Sequence, residues 1–352
     1  MCWKESDRVS LRAEFVRLAS ADGANRSQLC VRFGISRKTG YKWLSRWTEE
    51  GDDGLADRSR RPNESPGKTT AAMERCVLKV RQRHPSWSGR KIRRRLQDQG
   101  VESPPSASTI TAILHRHGCI DEAESAKHQA YGSFERATPN ELWQVDFKGE
   151  FSLSNGSLCY PLTILDDHSR YSLGVLACSN QKRETVQNHF RHVFDRYGLP
   201  RAIYVDNGNP WGTQVQGFSQ TRFTAWLLRH DVTVIHGRPY YPQGRGEIER
   251  FHRTLKLEVL QGRQFSSLKE TQVEFDTWRS VYNQERPHES LDLEVPSTRY
   301  RVSDRSFREA TEAFEYSDRF VVRRTQRRGQ LTFRGTKYRV SEAFGGDSIG
   351  LA

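Results

Sequence analysis

Hydrophobic and polar positions change period along this chain and divide it into zones. Residues 9–49 follow the helical period, in which apolar positions recur every three or four residues. Leu11, Phe15 and Leu18 form one stripe over roughly 9–20. Leu29 and Phe33 form a second over roughly 26–33, and Tyr41 and Leu44 are the expected inward positions of a third helix over about 37–49. Gly34-Ile35-Ser36 reads as the turn before that third helix, with Gly free to adopt a left-handed backbone and Ser36 able to cap. Residues 69–118 repeat the pattern, with stripes Met73/Cys76/Val80, Ile92/Leu96 and Ile110/Ile113/Leu114 and a cap at Ser106 or Ser108. The polar stretches 51–68 and 119–140 read as linkers, the first rich in Gly, Asp, Arg and Pro. From Glu141 strands and helices alternate, and beyond about residue 318 the pattern is β-like, clearest in TFRGTKYRV at 332–340.

Three segments of the alternating zone carry candidate chemistry. In ELWQVDFKGEF (141–151), Leu142, Gln144 and Asp146 share one strand face and Trp143, Val145 and Phe147 the other. An acid set among large apolar neighbours is costly unless it is paired or bound to a cation. In AIYVDNG (202–208), Asp206 ends an apolar strand, where α/β proteins often place ligands. In PQGRGEIERFHRTLKLEVL (242–260), Ile248, Phe251, Leu255 and Val259 make the apolar stripe of a helix. Glu249 sits beside that stripe, followed by His252, Arg253 and Lys256. Each acid alone reads as a structural hydrogen-bond acceptor. Together, two strand acids and one helix acid can converge on hard divalent cations, which prefer oxygen ligands. Two such ions stabilise the attacking and leaving oxygens of an in-line phosphoryl displacement. A helix turns about 100° per residue, so Glu247 and Glu249 cannot both face one ion pair, and periodicity does not choose between them. Asp166 and Asp167, before His168-Ser169-Arg170, read as a hairpin turn.

Charge adds a partner. The formal net charge is +13, which suits a polyanion. Residues 75–96 carry nine Lys or Arg and no acid, and residues 319–339 carry eight and no acid. Arg37, Lys38, Lys42 and Arg46 lie on the wet side of the third helix, and a basic helix after a tight turn is the usual reader of a major groove. Arg90, Lys91 and Arg94 suit phosphate contacts in the second helical zone, as do Arg253 and Lys256 beside the candidate acids. The six cysteines are scattered without a CxxC pair, which leaves neither a zinc finger nor a redox motif and points to reduced thiols. No apolar run approaches the ~20 residues that span a bilayer, and the first residues lack a secretory apolar region. The expected location is the cytoplasm.

The words LWQVDFKGEF, TILDDHSRY, VDNG, GRPYYPQGRGEIERFHRTLK and YNQERPHESL stand in this order over residues 141–300. They resemble the integrase core of bacterial insertion-sequence transposases related to retroviral integrases. GISRKTGYKWLSRW and GLADRSRRP upstream resemble the paired helix-turn-helix front end of that group. The resemblance implies an α/β RNase H-like core, a mixed five-stranded sheet flanked by helices. Two all-α helix-turn-helix modules precede it and a short β-rich tail follows. The expected domains are a helix-turn-helix at 1–50, a linker at 51–68, a second helix-turn-helix at 69–118, a linker at 119–140, the core at 141–300 and a truncated β-rich segment at 301–352. The resemblance also implies a catalytic and metal-holding triad of Asp146, Asp206 and Glu249, spaced 60 and 43 residues apart, and it selects Glu249 over Glu247. The implied cofactors are two divalent ions, Mg²⁺ or Mn²⁺. The implied partners are double-stranded DNA, as terminal inverted repeats and target, and further copies of the chain. The implied activity is DNA strand cleavage and strand transfer in integration and recombination.

Several positions depart from the group's pattern. Glu247 stands where relatives commonly carry a DNA-contacting Lys, Tyr241 where His is common and Gly244 where Thr is common. The tail stops at SIGLA just after the first expected strands, which would leave strand edges open. These departures frame an alternative expectation, a catalytically inert DNA-binding protein that occupies the element's ends as a repressor. A third, a nuclease of the RNase H type acting on RNA–DNA hybrids, fits poorly with helix-turn-helix modules made for duplex DNA.

Overall fold

The computed structural model describes residues 8–58, 67–120, 135–212, 220–237, 246–310 and 315–352. Tyr241, Gly244 and parts of both linkers lie outside the described residues. The chain forms two compact units, Met1–Lys68 and Thr69–Ala352.

Among the described residues the first unit holds α1 (Arg8–Ala19), α2 (Arg26–Arg32) and α3 (Arg37–Glu50); on α1 Phe15 is buried as expected, but Leu11 is 40% exposed and Val16 and Ala19 take the inward places instead. Asn25 caps α2 through Gln28 N at 3.1 Å, and Ser36 caps α3 through Thr39 N at 3.2 Å. Gly34 supplies the left-handed turn between them, with φ +65°. The core holds Phe15, Val16, Ala19, Cys30, Trp43 and Leu55. Of the two inward positions expected of α3, Leu44 packs against this core and Tyr41 is corrected: Trp43 is buried and Tyr41 is 55% exposed. Gly40 is the physical reason. A Cβ there would meet Cys30 Sγ at 2.6 Å and the Phe15 ring at 2.9 Å, so the Gly40 face is where α3 approaches its neighbours most closely. Tyr41, one residue on, is carried about 100° away from that contact.

The second unit begins with α4 (Ala71–Arg83), α5 (Gly89–Asp98) and α6 (Ala107–Arg116) around Val77, Val80, Trp87, Ile92, Leu96, Ile110, Ile113 and Leu114. Val77 takes the inward place expected of Cys76, which is exposed. Ser106, rather than Ser108, caps α6 by accepting from Thr109 N at 3.2 Å.

A mixed sheet follows. Its strands are β1 (Leu142–Phe147), the short β2 (Phe151–Ser152), β3 (Leu158–Asp166), β4 (Ser172–Cys178), β5 (Ala202–Val205) and β6 (Thr233–His236). The five longer strands run in the order β4-β3-β1-β5-β6, with β2 pairing the start of β3. β1 is antiparallel to β3 and parallel to β5, and β5 is parallel to β6. Period-two burial assigns each face. Trp143, Val145, Leu162, Ile164, Ile203 and Val205 pack under α7 (Arg183–Tyr197) and α8 (Arg222–Arg229). Leu165 and Val175 pack on the opposite face under α9 (Gly246–Leu255), its π-helical extension Lys256–Leu260, and α10 (Leu268–Gln284). A short helix, α11 (Pro296–Arg299), follows α10.

The α4–α6 layer rests on α10 and the π turn. Val281 joins its apolar core, Arg95 pairs with Glu285 at 2.5 Å, and Ser86 Oγ donates to Glu258 at 2.5 Å. Glu258 also accepts from Trp278 Nε1 at 2.8 Å and Arg286 Nε at 3.2 Å. Burial raises its pKa, but Arg286 and these donors outweigh that and hold the carboxyl below its ordinary range. Lys91 faces the same region, beside Arg286, Glu258 and Glu289, and burial pushes its ammonium down to about 7.

The tail has β7 (Val321–Arg324), β8 (Gln330–Phe333), β9 (Thr336–Arg339) and β10 (Ser348–Leu351). β8 and β9 form the predicted hairpin, with Arg334 and Gly335 both at positive φ, as a two-residue turn between twisted strands requires. SIGL itself is β10 and pairs antiparallel with β7. Arg229 of α8 holds the tail through Asp347 at 2.5 Å.

Two predictions follow from the packing. Gly40→Val should destabilise the first unit by about 1–3 kcal/mol, the cost of overpacking a filled contact; thermal unfolding of the full chain reads this. Lys91→Met should raise stability, because the folded state disfavours the ammonium. Folded pKa about 7 lies below the ordinary 10.5, so the penalty is complete below about pH 7 and fades as pH rises toward 10.5. The gain of Lys91→Met over wild type should therefore shrink across that window in unfolding curves taken at successive pH values. An unchanged gain would show that Lys91 is not desolvated.

Candidate active site

β1 and β5 lie side by side and parallel, with Gln144 opposite Tyr204. Asp146 and Asp206 each follow two residues later, so the register brings both carboxylates to equivalent positions at one end of the sheet. Both are half-buried. Asp206 ends its strand in a tight loop: its Oδ1 accepts from Gly208 N at 3.0 Å and its carbonyl faces His236 Nδ1 at 3.1 Å. Asn207 Nδ2 donates to Gly237 O at 3.0 Å. Through these bonds Asn207 and Gly208 shape the loop after Asp206. A Cβ at Gly208 would stand 3.1 Å from the Asp206 carboxylate.

The opposite neighbour of Asp146 is Thr163 on β3. Thr163 Oγ1 donates to the Asp146 carbonyl at 2.9 Å and lies 2.7 Å from His252 Nε2. His252 thus ties α9 to the sheet at the level of Asp146.

On α9 the predicted stripe Ile248, Phe251, Leu255 and Val259 is buried, Val259 in the π-helical extension. Glu249 is exposed, whereas Glu247 is 8% exposed. Glu247 is enclosed by cations: Arg250 Nη1 at 3.1 Å and Arg170 Nε at 3.5 Å. Its carboxylate therefore does not take the outward, DNA-facing place that its position in the motif suggested. Arg170 is itself 2% exposed and also reaches Asp167 and Glu135, at 3.6 and 3.8 Å. Asp166, the last residue of β3, and Asp167, in the turn after it, are fully buried acceptors. Asp166 accepts from Asn140 N and Ser169 N at 2.8 Å, and burial raises its pKa against these bonds. Asp167 accepts from Arg136 N at 2.8 Å and Gln144 Nε2 at 2.6 Å.

The donor set of Asp146, Asp206 and Glu249 suits a hard divalent cation in kind, being carboxylate oxygens at a strand pair and on the helix covering that face. Among the described residues no three His, Cys, Asp or Glu side chains are gathered as a ready metal cluster. The structure brings Asp146 and Asp206 to one place on the sheet and leaves Glu249 open on α9.

The candidate DNA contacts divide by exposure. Arg37, Lys38 and Lys42 are exposed on α3, and Arg46 is half-buried with its guanidinium 5.1 Å from the Trp43 ring. Arg90 is exposed, while Arg94 is half-buried and pairs with Asp98 at 2.9 Å. Lys91 is placed otherwise than expected: it is turned toward Arg286, Glu258 and Glu289 and away from the exposed face of Arg90 and Arg93. Arg253 and Lys256 are exposed on α9 and its extension. Lys148 belongs beside them: burial, then the nearby Lys256, lowers its pKa. Its signal in the sequence was the strand alternation Gln144, Asp146, Lys148, continued by the bond from Lys148 N to Pro161 O at 2.9 Å. Tyr41, read from the sequence as core, stands outward with Arg37 and Lys38.

Known families match along the chain. An integrase core domain model matches residues 136–242, and a second integrase core domain model matches residues 230–296. A helix-turn-helix domain matches residues 11–63 and a homeodomain-like domain residues 39–114. Among curated proteins, the uncharacterized 39.2 kDa protein of insertion element IS476 from Xanthomonas euvesicatoria is 29% identical over 168 residues, 48% of this chain and 46% of that protein. The uncharacterized 31.7 kDa protein of insertion element IS407 from Burkholderia multivorans is 26% identical over 177 residues, 50% of this chain and 61% of that protein. The chain thus spans about half the length of these relatives. The Gag-Pro-Pol polyprotein of Mason-Pfizer monkey virus is 32% identical over 123 residues, 34% of this chain and 6% of that protein. A solved structure of the HTLV-2 integrase catalytic core domain in complex with magnesium is similar at 14% identity and a TM-score of 0.35, over 47% of this chain and 99% of that one. Integrase core domain models thus match residues 136–296 and helix-turn-helix or homeodomain-like models match residues 11–114, and the chain is similar to proteins of insertion elements.

Proposed function

We propose that this protein is a transposase that cuts DNA at the ends of its element and joins the cut ends to target DNA. The observation that carries this reading is the parallel register of β1 and β5, which sets Asp146 beside Asp206 on the sheet face covered by α9. Asp146, Asp206 and Glu249 would hold two divalent ions, Mg²⁺ or Mn²⁺, which when bound supply charge stabilisation for the attacking and leaving oxygens of an in-line displacement. Buried Glu247, already paired with Arg170 and Arg250, is left to hold the helix.

In cleavage, water attacks a phosphodiester phosphorus, the bond to the 3′-oxygen breaks, and that oxygen leaves as a 3′-hydroxyl. In joining, the 3′-hydroxyl attacks a target phosphodiester and a target 3′-oxygen leaves. Neither step uses a protein nucleophile, so the chain's work is positioning and electrostatics. Arg253, Lys256 and Lys148 would hold backbone phosphates at the site. Exposed Arg37, Lys38 and Lys42 on α3 would enter the major groove of the terminal repeats, with Arg46, Arg90 and Arg94 at the backbone. Holding two ends at once calls for at least two copies of the chain. No described helix is long and apolar enough to cross a membrane.

The test is strand cleavage and joining on a labelled duplex carrying the element's own terminal repeat, with Mg²⁺, with EDTA, and with Asp206→Ala. Products that require both metal and Asp206 are expected; binding without cleavage under every divalent metal would shift the assignment to a DNA-binding repressor. Asp146→Asn should lower cleavage by at least about 1000-fold, in line with losing a principal electrostatic group at a reacting centre, while duplex affinity stays within about twofold. Retained cleavage would remove Asp146 from the reaction. Arg90→Ala with Arg94→Ala should weaken binding and reduce its salt dependence by about one to two counterions, since each phosphate contact contributes about 0.9 to the slope. An unchanged slope would place the DNA elsewhere.

A further inference from the structure

One donor in the first turn of α9 is answered from across the fold. The first N–H groups of any helix lack intrahelical acceptors and need partners from outside. Ile248 N donates to Gln144 Oε1 at 3.2 Å, from a residue on β1. Gln144 is 3% exposed and lies two residues before Asp146; Ile248 is buried and immediately precedes Glu249. One side chain therefore joins the strand of one candidate carboxylate to the helical turn of another.

The other end of Gln144 is anchored too. Its Nε2 donates to Asp167 Oδ1 at 2.6 Å, which also fixes its amide the right way round, since Asp167 only accepts and Ile248 N only donates. Asp167 and the same turn of α9 are bridged by one guanidinium. Arg170 lies 3.6 Å from Asp167 and 3.5 Å from Glu247, and donates to the Asp167 carbonyl. Arg170, Asp167, Gln144 and Glu247 are all buried. Arg170 also sits at φ +60°, a conformation that an arginine adopts only where its surroundings hold it.

We propose that Gln144 and Arg170 are positioning residues that set the separation of Glu249 from Asp146. Gln144 acts as an N-cap supplied by the sheet, and Arg170, through the Asp167 and Glu247 carboxylates, locks the same turn against the strand end. Neither touches substrate; each acts through the backbone of α9. This rests on Asp146 and Glu249 sharing a metal site, and it explains why an acid stands at position 247: there it meets a buried arginine that needs a counter-charge.

The experiment measures Mn²⁺ affinity directly, from the loss of free-ion electron paramagnetic resonance signal on titrating full-length protein, and the Mn²⁺ dependence of cleavage of the same labelled duplex. Gln144→Met keeps the side chain's length and removes both polar ends; Arg170→Lys keeps the charge and loses the fork, and carries the test if Gln144→Met does not fold. Each variant should need about 10- to 100-fold more Mn²⁺ for half-saturation, as loss of a group that orients a metal ligand does. Cleavage at saturating Mn²⁺ should recover and duplex affinity should stay unchanged. A lowered unfolding temperature with a Mn²⁺ midpoint within about twofold of wild type would make the network purely structural and overturn the inference. Wild-type protein that binds Mn²⁺ without cleaving would defeat the proposed function, yet the shift in Mn²⁺ binding would still decide the positioning role. Wild-type protein that binds no Mn²⁺ would overturn both.

Discussion

The structure of the second unit depends on where β1 is placed. It is the strand that pairs antiparallel on one side and parallel on the other, so its register is set twice. A slip of one residue would turn Trp143 and Val145 out of one apolar layer and bring Gln144 and Asp146 in. The cost would be two large apolar side chains exposed and two polar ones buried without partners. That constraint holds Asp146 on the α9 face and, through the parallel pairing, brings Asp206 beside it. Position of the candidate carboxylates is a by-product of keeping the core apolar.

The same face contains charge buried at a depth where each ion must be answered. Glu247, Asp167 and Arg170 answer one another around the start of α9. Glu258 and Arg286 do so where the α4–α6 layer meets α10. Buried pairs of this kind add little net stability compared with apolar packing, but losing one partner leaves an uncompensated charge. Their effect is geometric. They tolerate one arrangement of helix and strand and penalise the others, which suits a region where side chains from separate elements must meet. Lys91 shows the opposite balance: Glu258 and Glu289 do not make up for its desolvation and the repulsion of Arg286.

Much of the fold was legible in the sequence because hydrophobic period reports directly on burial. The stripe Ile248, Phe251, Leu255 and Val259, the alternation from Leu142 to Phe147 and the Arg334-Gly335 hairpin all stand where the pattern puts them. The failures share a cause. Tyr41 and Cys76 are amphipathic or small enough to sit on either side of a helix, and the neighbouring Trp43 and Val77 took the inward place. Gly40 decided the first case, and a glycine's value as a close contact cannot be seen before the partner helices are known. Lys91 was misplaced because a run of cations looks uniform in one dimension, while only one side of α5 meets the core.

By itself the sequence determined the succession of helical and β zones, the basic character of the chain and a short list of carboxylates, because these depend on composition and on local period. It could not separate Glu247 from Glu249 on periodicity, since both lie in the first turn of one helix. Tertiary structure decided that they differ: Arg170, from a turn 77 positions earlier in the chain, encloses Glu247 and leaves Glu249 in solvent. It also decided that Gln144 caps a helix 104 residues away. Both are long-range polar contacts between side chains of unremarkable local preference, and such contacts leave no period in the sequence to read.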